Sequence, residues 1–518
     1  MHHLALDGVE ASVVGGIRAR EGVLGGDGST LAGRRRIARV RACLLVHRRR
    51  VLVLGISGAT WSVLDPLTRQ GRLPHLESLR SRGMSAVALS DRAPGEAQYR
   101  PQVAWATAAT GRTATNHGIT RFFHEGRDLR VPTLWDYWLQ AGLRVGVHGW
   151  PGTWPPKPCS GFIIPSHLAR DERAWPPELA RLRELEQRNR SAERRGLSPA
   201  DVARSLRLLA ELHRYGVRAR TWAALPSLAL RMAAGDSEKT ALALRQVRLE
   251  LATDVFIELC RRFQPSFRAF ITFLVDFASH RYWRYYEPSR FTPEPAAPTP
   301  GLRRAVPDAY ERVDLVLGRL LETVADDCIV LVVSEHGMAA EPDSTEVGSF
   351  RFVLRPESLA SFASADASIA GCPIARWVAF RQPDGGDATA LARLGATLSG
   401  MRLLSNGRPL LEVWDRDDEV VVRLAVAGAA GAQDDDAGAI VESNGRRTAL
   451  GQLVRRLGRT RSAMHDGEGV AILAGPGVPR ASARDVIRLV DLAPTLLTLA
   501  GLPVPPDLEG CALFEHAG

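Results

Sequence analysis

Six polar residues stand beside apolar runs of this chain. The run Arg268–Val275 (RAFITFLV) leads into DFASHRYW, with Asp276 and His280. The run Cys328–Val333 leads into SEHGM, with Ser334, Glu335 and His336, and His465 stands before a third run, Gly469–Leu473. A carboxylate with imidazoles at one sheet edge is the raw material of a divalent-metal site. Asp, His and His with one open position is the pattern of catalytic zinc. Any one of these residues alone reads as a cap or surface group; their joint placement at the ends of apolar runs points to a metal.

Those runs are expected as buried parallel strands, because strands covered on both faces are continuously apolar. Arg50–Gly58 (RVLVLGISG) is a further strand entering a glycine turn. Helices are predicted over Trp61–Gln70, through LPHLESLRSRG to a cap at Gly83, over Val103–Gly111 (VAWATAATG), over Arg248–Arg262 and over Val306–Ala325. Strands alternating with helices predict a doubly wound, mostly parallel α/β sheet with helices on both faces, ligands binding at the carboxyl ends of the strands. An Arg/Leu-rich amphipathic block, Pro177–Arg248, interrupts the rhythm and reads as a helical insertion at about 165–250. Its arginines would suit an anionic substrate, although a solvated helix face is the plainer reading. Residues 339–462 are expected as a small α+β cap subdomain in which WVAFRQPDG and LEVWDRDDEVVVRLA form exposed strands. Residues 463–518 should return to the parallel sheet through GVAILAGPGV and end in a helix pair and turn, DVIRLVDLAPTLLTLAGLPVPP. Residues 1–49 read as a flexible extension before a core over 50–338.

The chain has 518 residues, 45% apolar and 24% charged, which is globular and neither fibrous nor disordered. Its net charge is +10, but Lys157 and Lys239 are its only lysines; the other basic residues are arginine, as GC-rich coding produces. No basic motif interleaved with aromatics suggests a nucleic-acid partner. Six scattered cysteines (Cys43, Cys159, Cys260, Cys328, Cys372, Cys511) give neither a disulfide framework nor a CxxC site and point to a reducing, cytoplasmic compartment. No stretch approaches the ~20 apolar residues of a membrane span.

Seven segments, in order, resemble blocks of the alkaline phosphatase superfamily, in its type I phosphodiesterase/nucleotide pyrophosphatase branch. They are VLVLGISGATWSVLDPLTRQGRLPHLESLRSRG, VAWATAATGRTATNHGITRFF, VPTLWDYWLQAGLRVGVHGWPGTWPP, DFASHRYWRYYEP, VVSEHGM, HDGEGVAILAGPGV and DLAPTLLTLAGLPVP. The resemblance implies a two-metal phosphoryl-transfer site, usually zinc, whose ions clamp the attacking and leaving oxygens. It assigns Asp276, His280 and His465 to one ion. The other would need an aspartate where this chain has Ser57, an Asp-His pair where it has Glu335 and His336, and a Ser/Thr nucleophile. Counted from Trp105 and His117, the nucleophile position is Pro101, which has no hydroxyl. Thr107 and Thr110 lie further along the predicted helix and read as packing residues.

The resemblance therefore implies a protein that binds or acts on phosphorylated or sulfated small molecules, with catalysis weakened or lost. The divalent ion is expected to be zinc, with manganese as the alternative, and one ion rather than two. The alternative function is an active single-metal hydrolase of phosphate or sulfate esters that uses metal-bound water. Because residues 1–48 carry no periodic apolar face, deleting them should leave the melting temperature within roughly 2 °C, less than 1 kcal/mol would shift it. A fall of many degrees would make them part of the fold.

Overall fold

The computed structural model describes residues 49–94, 99–184, 211–233, 237–292, 301–341, 352–374, 377–382, 386–425, 438–456, 461–481 and 483–514. The expected extension over residues 1–49 lies outside them apart from Arg49, as does the middle of the expected helical insertion.

An eight-stranded sheet forms the centre. Its first six strands are β1 (Val51–Ile56), β2 (Met84–Leu89), β3 (Val145–His148), β4 (Gly161–Ile164), β5 (Phe267–Thr272) and β6 (Ile329–Val333). A short strand, β7 (Gly337–Ala340), follows β6. The cap segment contributes β8 (Phe352–Leu354), β9 (Ala370–Ile374), β10 (Trp377–Arg381), β11 (Arg402–Leu403), β12 (Leu411–Asp415), β13 (Glu419–Leu424), β14 (Ile440–Ser443), β15 (Arg446–Ala449) and β16 (Val454–Arg456). Then come β17 (Ala463–Asp466), β18 (Glu468–Ala474) and β19 (Arg484–Arg488). The sheet order is β19-β2-β18-β6-β1-β5-β3-β4.

The fold is the doubly wound, mostly parallel α/β class. In β1 all six residues are buried: Leu52, Leu54 and Ile56 join the apolar cluster on one face, Val51 and Val53 the cluster on the other. The helices Trp61–Arg69, Pro74–Arg82, Ser237–Phe263, Leu274–Tyr286 and Ala305–Leu321 contribute to the first cluster. Pro101–Thr110, Leu134–Gln140 and Leu492–Ala500 contribute to the second.

Four local expectations are corrected. The strand expected over Arg268–Val275 ends at Thr272, and Leu274 already opens a helix. A short apolar run does not separate strand from helix; Leu274, Ala278 and Tyr282 recur at helical spacing and are all buried. The run Gly469–Leu473 joins the sheet antiparallel to both neighbours, β2 and β6. It enters from the carboxyl end of β6 through the tight connection Asp466–Glu468, so it must run against that strand. The segment Asp485–Arg488 is not helical but part of an edge strand, β19, parallel to β2, and helical structure begins only at Leu489. Finally, β10 and β13 are mostly buried, because the sheet β12-β13-β10-β9 packs into a separate apolar cluster under helices Pro356–Phe362 and Ala388–Ser399.

The cap segment is tied to the core by buried charges. Arg170 lies 3.3 Å from Glu125 and 3.4 Å from Glu419, and all three are at least nine-tenths buried. Arg127 reaches Glu419 at 2.6 Å and Arg416 reaches Asp128. Burial raises the Glu125 carboxyl to about 7 although Arg170 opposes it.

A crowded backbone approach lies between β18 and the end of β6. A Cβ at Gly469 would fall on the Ser334 carbonyl oxygen. Gly469→Ala should therefore lower unfolding free energy by about 2 kcal/mol or more. Gly71, with φ +70 and nothing within 4 Å of a Cβ, should lose only about 1 kcal/mol as Gly71→Ala. Urea midpoints of the two variants check the contrast; equal shifts would refute it.

Candidate metal centre

Parallel strands β5, β1 and β6 lie side by side, and their carboxyl ends deliver Asp276, Ser57 and Glu335 to one edge. Asp276 and His280 sit in the first two turns of Leu274–Tyr286, one helical repeat apart and so on one face. His465 is on β17, which pairs antiparallel with β7 and opposes Met338. The turn after β1 fits closely against the helix. Gly58 has φ +79, and a Cβ there would stand 2.9 Å from the Asp276 Cα.

Ligand atoms of Asp276, His280 and His465 all lie within 4.8 Å of one another. His280 Nε2 is 2.9 Å from His465 Nε2, and each is 3.2 Å from Asp276 Oδ1. The other ring nitrogens fix the tautomers. His280 Nδ1 faces the Ala463 carbonyl at 2.7 Å, and His465 Nδ1 faces that of Tyr99 at 3.1 Å. A carbonyl only accepts, so each Nδ1 carries the proton and each neutral ring presents a bare Nε2. Arg461 Nη2 donates to His280 Nε2 at 2.8 Å, consistent with that assignment. Burial first, then the Arg461 charge, lowers His280; burial and the neighbouring His336 push His465 down to about 3. Burial opposes charge on Asp276, while positive charge at His280 and His465 would hold its carboxyl well below the ordinary range, the direction in which a cation held between them would also act.

Three acceptors converging without a proton between them fit a cation. Tetrahedral zinc with bonds of 2.0–2.1 Å spaces its ligands about 3.3 Å apart, close to the separations here. The carbonyls of Ala463 and Tyr99 stand where outer partners would orient ligating imidazoles.

The second group of expected ligands is bonded within itself. The Ser57 hydroxyl donates to Glu335 Oε1 at 2.6 Å, and His336 Nε2 lies 3.2 Å from the same oxygen. All three residues are fully buried, and among the described residues neither Glu335 Oε2 nor His336 Nε2 makes a hydrogen bond, so the His336–Glu335 contact is an ion pair by distance only. His336 Nδ1 donates to the Gly337 carbonyl at 2.9 Å. Burial works against charge on His336, but Glu335 raises it to about 9. The His336 ring stacks on His465 with centroids 3.9 Å apart, so the two groups adjoin. Ser334, the other polar residue singled out at this strand end, is structural: its hydroxyl accepts from Ala59 N and donates to the His336 carbonyl.

Pro101 is buried at the first position of Pro101–Thr110. Thr107 donates to Val103 O and meets His117 Nε2 at 3.2 Å; Thr110 donates to Ala106 O. Both are buried in helix packing. Two participants escaped the sequence reading, Arg461 and the Tyr99 carbonyl. Arg461, Ala463 and His465 alternate along the chain, and the period of two that places strand residues on one face was the available signal for Arg461. The Tyr99 carbonyl has no side-chain signature.

The α/β fold carries at its strand ends a two-histidine, one-aspartate cluster that could hold a metal ion, and the fold and the family match below place the chain in the alkaline phosphatase superfamily. The chain belongs to the type I phosphodiesterase / nucleotide pyrophosphatase family, whose sequence model matches residues 51–447. His465 and the last two resembling segments lie beyond that match. Among solved structures, it is similar to murine ectonucleotide pyrophosphatase / phosphodiesterase 5 at 13% identity, covering 88% of this chain and 96% of that one, with a TM-score of 0.38. The human counterpart matches at 12% identity with the same coverage and TM-score. Phosphonoacetate hydrolase from Sinorhizobium meliloti 1021, solved with phosphonoacetate, matches at 16% identity, 88% and 96% coverage and a TM-score of 0.39. Comparison with curated protein sequences returned no match.

The Arg461 guanidinium and a cation compete for the same His280 lone pair and repel each other. Arg461→Ala should tighten zinc binding by roughly tenfold, the scale on which outer-shell partners alter affinity. Competition against a chromogenic chelator measures it; unchanged or weaker binding would refute this role.

Proposed function

We propose that this protein binds phosphoesters through one divalent ion on Asp276, His280 and His465, with the family's hydrolytic activity weakened or lost. Zinc suits two imidazoles and a carboxylate, and manganese is the alternative. The observation that carries the reading is the contrast between the two groups of residues. One presents three acceptors to a common point; in the other the Ser57 hydroxyl donates to Glu335 Oε1 at 2.6 Å and His336 Nε2 stands 3.2 Å from that same oxygen.

An ion at the first group would polarise a phosphoryl oxygen and acidify water. The chain's residues do the rest. Asp276 supplies the compensating negative charge. His280 and His465 hold Nε2 in position through their carbonyl-bound Nδ1 protons. Arg461 offers a cationic donor beside them for the oxygens of an anionic ester. Pro101, which the family resemblance aligns with the nucleophile, supplies no hydroxyl, and the threonines further along its helix are engaged with carbonyls of the preceding turn. That supports loss of the covalent route. A second reading, an active single-metal hydrolase of phosphate or sulfate esters, is favoured by the intact three-residue cluster. A phosphorylated or sulfated small molecule is the partner in both. A reducing, cytoplasmic compartment suits the scattered cysteines, which form no disulfide among the described residues. No described helix is long and apolar enough to cross a membrane.

Elemental analysis should give one metal per chain, falling to none in Asp276→Ala. Turnover of aryl phosphate mono- and diesters with added zinc or manganese should be very weak. Ser57→Asp with Pro101→Thr should raise it by at least about tenfold, while either change alone does little, because nucleophile and second ion act as a unit. Melting curves must show the double variant folded. Robust metal-dependent turnover by the unaltered chain, lost in His465→Ala, would favour the single-metal hydrolase instead.

A further inference from the structure

A cavity of about 170 Å³ lies at the carboxyl ends of β3, β4 and β5, against the helix Ser237–Phe263. Ile164, Leu249, Val255, Phe270 and Leu274 line it, and all five are buried members of one apolar cluster, so the space reaches into the core. Leu249, Ala252 and Val255 recur every three residues, and one face of the helix thereby forms a wall. Rings form another part of the lining. Phe270 and Phe273 stand there with His148, which stacks on Phe270 at 5.0 Å, and His167, which meets Phe273 edge-on at 4.5 Å. Arg183, Arg245 and Arg248 also border the cavity, but each is engaged in contacts of its own, so none is an idle charge awaiting a ligand. The Arg245 guanidinium, for one, lies over the Phe277 ring at 4.9 Å.

Water suits such a space poorly, because a buried water needs roughly two to four polar partners. Thr272 supplies the one hydroxyl among the described lining residues, and its oxygen already accepts from Leu274 N at 3.3 Å. An apolar occupant instead restores the dispersion contacts that a void denies its walls. The volume is close to the roughly 150 Å³ cavity that holds benzene. The rings in the wall select a flat aromatic occupant over a saturated one, since edge-to-face and offset ring pairs attract beyond the area they bury.

We propose that this cavity binds a neutral aromatic molecule of about one ring. The site is separate from the metal centre: none of Asp276, His280 and His465 is among the residues that line it.

Titration calorimetry on the full chain with toluene tests this. Toluene should bind saturably at a single site. In competition with it, cyclohexane should be at least threefold weaker than benzene, and benzoate at least tenfold weaker, because the wall offers rings to a ligand but no idle charge. Ala252→Phe, which fills the space, should abolish binding, and Leu182→Trp, which fills it from the opposite side of the sequence at a half-buried position, should weaken binding at least tenfold. Melting curves confirm that the variants fold; if one unfolds, the other carries the test. His465→Ala should leave the affinity for toluene within twofold, so failure of the metal-centre reading leaves this result intact. The proposal is overturned by absence of saturable binding, by cyclohexane or benzoate competing as well as benzene, by affinity indifferent to both filling substitutions, or by binding lost in His465→Ala.

Discussion

The arrangement depends on the packing of strand ends at one edge of the sheet. Strands β5, β1 and β6 are adjacent and parallel, so the residues that follow them emerge side by side. Strand β18 pairs with β6 in the opposite sense, so the residues before it arrive at the same place. Positions more than 400 apart in sequence, Ser57 and His465, thereby share one site. Two glycines permit the approach. Gly58 lets the turn after β1 lie against the Asp276 backbone, and Gly469 lets β18 lie against the Ser334 carbonyl.

Within that edge, hydrogen bonding divides the polar residues into two kinds. The imidazoles of His280 and His465 spend their protons on backbone carbonyls and keep their lone pairs turned inward with Asp276. Buried acceptors left facing one another are costly unless a cation or proton joins them. Ser57, Glu335 and His336 answer the same cost differently, with a hydroxyl donor and an ion pair of their own. Ser57, where the family resemblance leads one to expect a carboxylate, allows this: a hydroxyl donates to Glu335, whereas a second carboxylate would repel it.

The additions to the core are positioned by charge as well as by apolar packing. The cap segment meets the core through Arg170 between Glu125 and Glu419, a fully buried arrangement that requires all three partners together. The helix Ser237–Phe263 brings Arg245 and Arg248 of one stripe into the lining of a largely apolar cavity at the ends of β3, β4 and β5.

Much of this was legible from the sequence because the signals are local. Continuous apolar runs marked β1, β5, β6 and β18 as buried, and the polar residues beside them marked the site edge. Pro101 and Ser57 are chemical facts of the sequence, since no fold gives proline a hydroxyl or serine a carboxylate. Tertiary structure decided the rest, where the deciding contacts are distant. The direction of β18 follows from where it enters the sheet, which hydrophobic periodicity does not encode. The end of β5 at Thr272 follows from helix packing of Leu274, Ala278 and Tyr282 that its apolar run conceals. The burial of β10 and β13 depends on helices that cover them. The tautomers of His280 and His465 depend on carbonyls 183 and 366 residues away. The sequence by itself named the candidate ligands, a proline without a hydroxyl and the strands that present them; only the folded chain decided which lone pairs face one another, because that depends on which distant backbone carbonyl takes each imidazole proton.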